Sequence, residues 1–257
     1  GRSPVSLGVT RFAQPARPDT VFFTDILRRN GYFAGLAGRH HHLAGRLRHT
    51  PVEQDALEAA GLLYAESRFD VVDTFGTRHD DGMARTGEGF RTFLDQRPHG
   101  APFFLYLGFN QPHTPWTEEP ASFQPDPAEL ELPAHLPDLP EVRSNYAQFL
   151  KSVHNMDRAV GVVLDILDER GLADNTLVLF MGDNGEALLR GKGTLYNSGN
   201  NVPCLVRWPG VVEPGAVSDA LVSGEDLAAT FLDAAGLSTA PRMTRSSFLP
   251  VLKGRAT

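Results

Sequence analysis

A chain of 257 residues, of which 41% are hydrophobic and 21% charged, has the composition of a globular protein that buries its own core without disulfide bonds or a structural metal. Its formal net charge of −7 argues against a nucleic-acid-binding surface, and its apolar runs stop far short of the roughly 18 residues of a membrane-spanning helix. The single cysteine, Cys204, cannot form an internal disulfide, so the cysteine content leaves the cellular compartment open.

Apolar runs of strand length alternate with helical patterns along the chain, which is typical of an α/β fold with a mainly parallel sheet. In the first third, Asp19 and Thr20 offer side-chain oxygens for the start of a helix, and Tyr32 to Leu36 follows as a short strand. The stretch from Arg46 to Asp81 predicts irregular structure with one strand near Phe69 to Val72.

The rest of the chain continues this alternation. The predicted helices span Met83 to Gln96, Val142 to Gly171 and Glu225 to Ala235, and the predicted strands span Phe103 to Phe109, Thr176 to Met181 and Pro203 to Trp208. Eight of the nineteen prolines lie between Asn110 and Pro140, in a loop of the length that usually shapes a binding site. No internal repeat or flexible linker divides the sequence, which predicts a single domain over residues 1–257.

Three of the predicted strands end in polar clusters, at residues 38–42, 110–113 and 182–186. Because the carboxyl ends of parallel strands share one edge of a sheet, we expect these clusters to lie together. In the last cluster, Asp183 and the amide oxygen of Asn184 are hard donors that suit Ca²⁺ or Mg²⁺. Arg39 and Lys192 add positive charge, which suits an anionic tetrahedral ester group next to such a metal.

Each of these features, taken singly, also has a purely structural explanation. Asp183 can simply open a turn, the histidines at residues 40–42 can form a solvated loop, and His113 can be a packed core residue. Lys192 lies in a Gly-Lys-Gly-Thr stretch, but the full spacing of a phosphate loop is missing, which argues against nucleotide binding. Cys204 lies among apolar residues and is predicted to be a small buried side chain instead of a nucleophile.

In three ordered motifs the sequence resembles the sulfatases of the alkaline-phosphatase superfamily. Residues 103–116, FFLYLGFNQPHTPW, resemble the strand and PHxPW loop of that family. Residues 177–186, LVLFMGDNGE, are similar to its metal-binding motif, and residues 192–210 resemble its KGTLY…VPLIVRWPG segment. The similarity extends from Asp19 to Gly236, and the motif spacing favours the branch that includes sulfoglucosamine sulfohydrolase.

The resemblance implies an alkaline-phosphatase-like three-layer α/β sandwich with a mainly parallel central sheet. Residues 1–9 are similar to the segment that follows the family's nucleophile helix. We therefore expect a fragment of one catalytic domain, whose first strand, nucleophile helix and C-terminal end lie outside this sequence. The family's paired aspartate ligands, and the C-x-P-S-R segment whose Cys or Ser becomes formylglycine, would belong to that missing part. On this basis the chain alone is expected to be inactive.

The resemblance also implies roles for individual residues. Asp183 and Asn184 would be two ligands of a divalent metal, Ca²⁺ or alternatively Mg²⁺. Lys192 would contact the sulfate group and the leaving-group side. His113 would form a hydrogen bond with the sulfate or protonate the departing oxygen or nitrogen. These side chains, together with that of His41, are expected to converge in one pocket.

Two further residues match the family's GKxH motif. His41 would assist the formylglycine nucleophile and the collapse of its sulfated intermediate, whereas Arg39 stands where the family has lysine and keeps the charge with a different geometry. The implied reaction is hydrolysis of a sulfate ester or sulfamate in a sulfated small molecule or glycan, while the cellular location stays open. Two alternatives stay open: a phosphodiesterase or phosphonate monoester hydrolase of the same superfamily, and a non-catalytic module that binds sulfated glycans.

Overall fold

The computed structural model describes residues 1–9, 17, 19–39, 50–59, 65–73, 82–116 and 123–255. Helices and strands alternate through these residues. The helices are α1 (Phe23–Arg29), α2 (Pro51–Ala59), α3 (Gly82–Gln96), α4 (Pro140–Glu169), α5 (Asn197–Asn200), α6 (Leu227–Ala234) and α7 (Leu249–Leu252). The strands are β1 (Phe33–Gly38), β2 (Val71–Asp73), β3 (Phe103–Gly108), β4 (Val178–Met181) and β5 (Cys204–Arg207). None of the described helices is both long enough and apolar enough to cross a bilayer.

The chain forms two compact groups of residues. The first group comprises Gly1–Thr74, Phe93–Gly108 and Val211–Thr257, and the second comprises Phe75–Thr92 and Phe109–Gly210. The first group contains a three-stranded sheet with α1, α6 and α7. The second contains the long helix α4 and the strand pair β4 and β5.

The sheet of the first group is parallel, as the sequence predicted. Its strand order is β2-β1-β3, with Phe33 opposite Phe103 at one end of the central pair and Gly38 opposite Gly108 at the other. Five of the six residues of β1 are buried, because this strand has a neighbour on each side and helices above and below. The carboxyl ends of β1 and β3 therefore lie side by side.

Aromatic side chains cover both faces of this sheet. On one face, the ring of Phe93 near the end of α3 stacks on Phe33, with 5.3 Å between the ring centroids. On the other face, Phe104 contacts Phe23 of α1 at 5.0 Å and Phe231 of α6 at 5.7 Å. Alternate residues of a strand point to opposite faces, so the sheet of this group is sandwiched between helices.

In the second group, α4 has 30 residues and is therefore about 45 Å long. Strands β4 and β5 pair in the antiparallel direction, with Val178 opposite Arg207. The guanidinium of Arg207 forms an ion pair with Asp168 of α4 at 3.0 Å. The antiparallel pairing arises because the residues between β4 and β5 fold back as a loop, with only the short helix α5, and do not cross over the sheet.

Two of the predicted element boundaries change for identifiable reasons. The first helix begins at Phe23, and neither Asp19 nor Thr20 caps it. Its first turn is instead closed by Asp25, whose carboxylate accepts the N–H of Phe22 at 2.9 Å. The predicted strand at residues 32–36 is β1, which continues to Gly38.

Two other predictions were wrong. Irregular structure was expected over residues 46–81, but residues 51–59 form α2. The N–H and hydroxyl of Thr50 both donate to the carboxylate of Glu53, at 2.8 and 2.9 Å, in a capping arrangement ahead of Pro51. Cys204 was expected to be buried but is exposed, because it is the first residue of a strand with a neighbour on one side only among the described residues.

Candidate active site

The Asp183 and Asn184 side chains lie in a turn that directly follows β4. Asp183 is exposed and Asn184 is partly buried. The turn is closed by the N–H of Gly185, which donates to the carbonyl oxygen of Gly199 at 3.0 Å. A Cβ atom at position 185 would lie 1.8 Å from the carbonyl oxygen of Ser198, so this close approach requires glycine.

Lys192 belongs to the same loop. Its backbone N–H donates to the carbonyl oxygen of Glu186 at 2.8 Å, and its side chain is exposed. A Cβ atom at Gly191 would lie 2.1 Å from that oxygen of Glu186, so a second glycine permits the contact. This hydrogen bond thus fixes the backbone of Lys192 next to Glu186, two residues after Asn184.

Hydroxyl groups close the remainder of this loop. The hydroxyl of Thr194 donates to the carbonyl oxygens of Arg190 and Gly191 at 2.7 and 2.8 Å, and the hydroxyl of Ser198 donates to that of Arg190 at 2.7 Å. Arg190 adopts φ = 60°, a left-handed conformation that is uncommon for a residue with a side chain. Its guanidinium lies 5.3 Å from the ring centroid of Tyr196. The path of the loop is therefore set by internal hydrogen bonds.

His113 lies in the proline-rich segment that follows β3. Both neighbouring prolines, Pro112 and Pro115, follow cis peptide bonds, and the indole N–H of Trp116 donates to the carbonyl oxygen of Pro112 at 2.8 Å. The Nδ1 atom of His113 contacts the carbonyl oxygen of Thr114. This contact anchors one side of the imidazole ring to the main chain of the proline-rich segment.

Arg39 lies directly after β1, at the carboxyl edge of the parallel sheet. Its N–H donates to the carbonyl oxygen of Gly108 at 2.6 Å. A Cβ atom at Gly108 would lie 2.2 Å from the carbonyl oxygen of Arg39, so glycine allows the two strand ends to meet. His41 lies outside the described residues. Arg39 belongs to the first compact group and the other described site residues to the second, so the convergence of all these side chains stays a prediction.

Sequence reasoning missed a cluster of His135, Tyr146 and Glu186 in the second group. The Nε2 atom of His135 lies 3.4 Å from a carboxylate oxygen of Glu186, and both side chains are about three-quarters buried. Burial raises the pKa of the Tyr146 hydroxyl, and the negative charge of Glu186 raises this pKa further. Glu186 is part of the conspicuous GDNGE stretch, but a histidine among prolines at residue 135 has no local feature that reveals its partner.

The donor set for a metal is incomplete within the described residues. Across these residues no three His, Cys, Asp or Glu side chains gather in an arrangement that could hold a metal ion. Asp183 and Asn184 nevertheless provide two adjacent oxygen donors, one of them charged, which is the donor type that Ca²⁺ and Mg²⁺ prefer. Asp183 and Asn184 are therefore suitable as two ligands of a Ca²⁺ or Mg²⁺ site, which requires further ligands from other residues.

With the fold and the loop geometry established, comparison with known proteins places the chain in a family. The sequence profile of the sulfatase family matches residues 1–237. The chain belongs to the sulfatase family, as its motifs predicted.

Two curated relatives and one solved structure illustrate the relationship. The chain is 30% identical to an endo-4-O-sulfatase of Bacteroides thetaiotaomicron over 278 aligned positions, which cover 91% of this chain and 54% of the relative. It is 34% identical to human N-sulphoglucosamine sulphohydrolase over 166 positions, covering 56% of this chain and 33% of the relative. The phosphonate monoester hydrolase SpPMH from Silicibacter pomeroyi superposes with a TM-score of 0.72 at 23% identity, covering 99% of this chain and 65% of that one.

These comparisons confirm the predicted fold class. The structural neighbours have the alkaline-phosphatase-like α/β fold, and the chain shares it. The chain spans about half the length, or less, of the curated relatives it matches.

Proposed function

We propose that the chain carries part of the active site of a sulfatase that cleaves a sulfate ester or a sulfamate in a sulfated glycan or small molecule. The observation that carries this proposal is the loop between β4 and β5. In that loop, a main-chain hydrogen bond holds Lys192 to Glu186, which follows the turn of Asp183 and Asn184. An ammonium group and hard oxygen donors in one constrained loop are the groups that an anionic ester requires.

Lys192 provides the positive charge for the sulfate group. Its exposed ammonium can reach a ligand, while its backbone is fixed by the hydrogen bond to Glu186. A donor that is held in place before the reaction stabilises developing charge without the cost of reorganisation. Lys192 therefore acts by binding and orienting the anionic group and by stabilising charge on the departing oxygen.

His113 provides the proton. Its Nδ1 atom contacts the carbonyl oxygen of Thr114, which anchors the ring. In the imidazolium form, the ring can protonate the departing oxygen or nitrogen. By the family resemblance, His41 would assist the nucleophile, and Arg39 stands where the family has lysine.

Asp183 and Asn184 would hold a divalent cation, Ca²⁺ or alternatively Mg²⁺, together with ligands that these two residues do not supply. When bound, the cation would neutralise charge on the sulfate oxygens. The nucleophile that the family resemblance implies, a formylglycine made from Cys or Ser, has no matching C-x-P-S-R segment among the 257 residues. Any assay of turnover therefore uses the product of the complete natural gene, expressed with a formylglycine-generating enzyme.

The test compares hydrolysis of an aryl sulfate with that of an aryl phosphonate monoester, with added Ca²⁺ and with EDTA. We expect sulfate release that EDTA abolishes and Ca²⁺ restores. Lys192→Ala should lower kcat/KM by about 10²–10³-fold. Lys253→Ala, at an exposed lysine just after α7, is the matched control and should leave it unchanged.

Other outcomes would reject the proposal in distinct ways. Hydrolysis of the phosphonate without hydrolysis of the sulfate would assign the second enzymatic function. Binding of a sulfated disaccharide by a properly processed but inactive protein would assign a non-catalytic module. Equal losses in the Lys192→Ala and Lys253→Ala variants would remove Lys192 from the site.

A further inference from the structure

The contact between His135 and Glu186 joins the proline-rich segment to the loop that carries Asp183, Asn184 and Lys192. Nε2 of His135 lies 3.4 Å from Oε1 of Glu186, and the two side chains are 26% and 22% exposed. Within the described part of the chain, Nε2 of His135 is buried and has no hydrogen-bond partner. The carboxylate of Glu186 is thus the charged group that this buried nitrogen faces.

The segment that presents His135 is itself anchored to α4. The guanidinium of Arg143 donates to the carbonyl oxygens of Pro127 and Leu130, at 3.0 and 2.9 Å, and forms an ion pair with Asp138. Leu136, next to His135, is buried. His135 therefore reaches Glu186 from a segment whose own position is fixed on both sides.

Glu186 transmits this position to the proposed site through its main chain. Its carbonyl oxygen accepts the N–H of Lys192 at 2.8 Å, and the absence of a Cβ atom at Gly191 permits this close approach. Asn184 precedes Glu186 by two residues, within the turn that Gly185 and Gly199 close. A displacement of Glu186 would shift both the oxygen donors and the lysine backbone.

We propose that His135 is a positioning residue, which acts through Glu186 to hold the Asp183–Asn184 turn and the backbone of Lys192 in one arrangement. His135 touches neither substrate nor metal in this account. The inference rests on the proposed function only for the roles of the residues that are positioned, because the contacts themselves are independent of any reaction.

The experiment measures amide hydrogen exchange at Lys192 in the 257-residue chain without substrate or metal. His135→Leu removes the imidazole, whereas His135→Gln keeps an N–H group near the position of Nε2. We expect the Lys192 amide to exchange about tenfold faster in His135→Leu and within about threefold of the original rate in His135→Gln. His154→Leu, at a second partly buried histidine on α4 in the same compact group, is the matched control and should leave the rate unchanged.

A second variant covers the case in which His135→Leu does not fold, which exchange at the α4 amides would reveal. Glu186→Gln preserves the shape of the side chain and removes its charge, and should accelerate exchange at Lys192 about threefold or more. An unchanged Lys192 rate in Glu186→Gln, or equal rates in the His135 and His154 leucine variants, would overturn the proposal.

Kinetics of the complete gene product then separate this inference from the proposed function. His135→Leu should lower kcat/KM for the aryl sulfate by about 10–100-fold and His135→Gln should restore most of it, as for residues that orient a ligand-binding group. A complete protein that hydrolyses no sulfate would refute the proposed function and leave the exchange result intact. A fully active His135→Leu enzyme would refute the positioning role alone.

Discussion

Replacement of Gly185 by alanine tests whether the turn of Asp183 and Asn184 is held by its backbone contact with residues 198 and 199. The added Cβ would lie 1.8 Å from the carbonyl oxygen of Ser198, whereas ordinary contacts begin near 3.4 Å. The two segments must therefore separate by well over 1 Å, which breaks the 3.0 Å hydrogen bond from Gly185 to Gly199. Overpacking of about 1–3 kcal/mol and a lost hydrogen bond of about 1 kcal/mol predict a loss of about 2–4 kcal/mol in the free energy of unfolding.

Gly161→Ala is the matched control. Gly161 lies inside α4, and among the described residues no atom outside the backbone of this helix lies within 4 Å of a Cβ placed there. The same chemical change should therefore stabilise the protein by about 0.5–1 kcal/mol, because alanine is the better helix former.

Urea and thermal unfolding, followed by circular dichroism, measure both variants. At about 2–4 °C per kcal/mol for a chain of this size, Gly185→Ala should lower Tm by about 4–16 °C and Gly161→Ala should raise it by about 1–4 °C. A Gly185→Ala protein as stable as the original chain would show that residues 183–186 and 197–200 do not approach each other as described.

Two further predictions concern charged and titratable groups. Arg68→Met removes the guanidinium that lies 2.8 Å from the carboxylate of Asp25, and because both side chains are at most 16% exposed we expect the free energy of unfolding to fall by about 3 kcal/mol. Arg17→Met, at an exposed ion pair, is the control and should lower it by less than about 0.5 kcal/mol. Equal effects of the two variants in urea unfolding would contradict the burial of the Arg68–Asp25 pair. Burial is the larger cause of the raised Tyr146 pKa and the charge of Glu186 the smaller, so Glu186→Gln should lower this pKa. The pKa is measured by pH titration of the absorbance at 295 nm, with a Tyr146→Phe variant subtracted to isolate this tyrosine. Because the pKa of Tyr146 is raised in the folded state, its contribution to stability falls as the pH rises above about 10. An unchanged Tyr146 titration in Glu186→Gln would show that the Glu186 charge does not act on this hydroxyl.

The strands and long helices were predictable because their patterns are local. The predicted strand from Phe103 to Phe109 differs from β3 by one residue, and the predicted helix from Val142 to Gly171 differs from α4 by two residues at each end. Helix α2 was predictable in principle, because a Thr-Pro-x-Glu capping pattern opens it at residue 50. The antiparallel pairing of β5 with β4 was not predictable, since the direction of a strand depends on how the loop before it folds.

In the candidate site, too, the features close in sequence were predictable and the long-range contact was not. Asp183, Asn184 and Lys192 are close in sequence and lie in the loop between β4 and β5, whereas the convergence of their side chains stays a prediction. The contact of His135 with Glu186 joins residues 51 positions apart, and no composition or spacing rule links a histidine among prolines to that particular carboxylate. Its recognition requires the packed positions of the proline-rich segment and α4.

The loop between β4 and β5 owes its path to backbone atoms, glycines and two small hydroxyls, while Leu195 at its tip is 94% exposed. The exposed side chain at residue 195 can therefore be changed without altering the backbone path of the loop. Replacing the residue at 195 with a library of charged, aromatic or amide side chains would change what the tip presents to solvent and ligands while preserving the scaffold beneath it. Under the proposed function, substrate selectivity would be adjustable at this tip independently of the groups assigned to the sulfate itself.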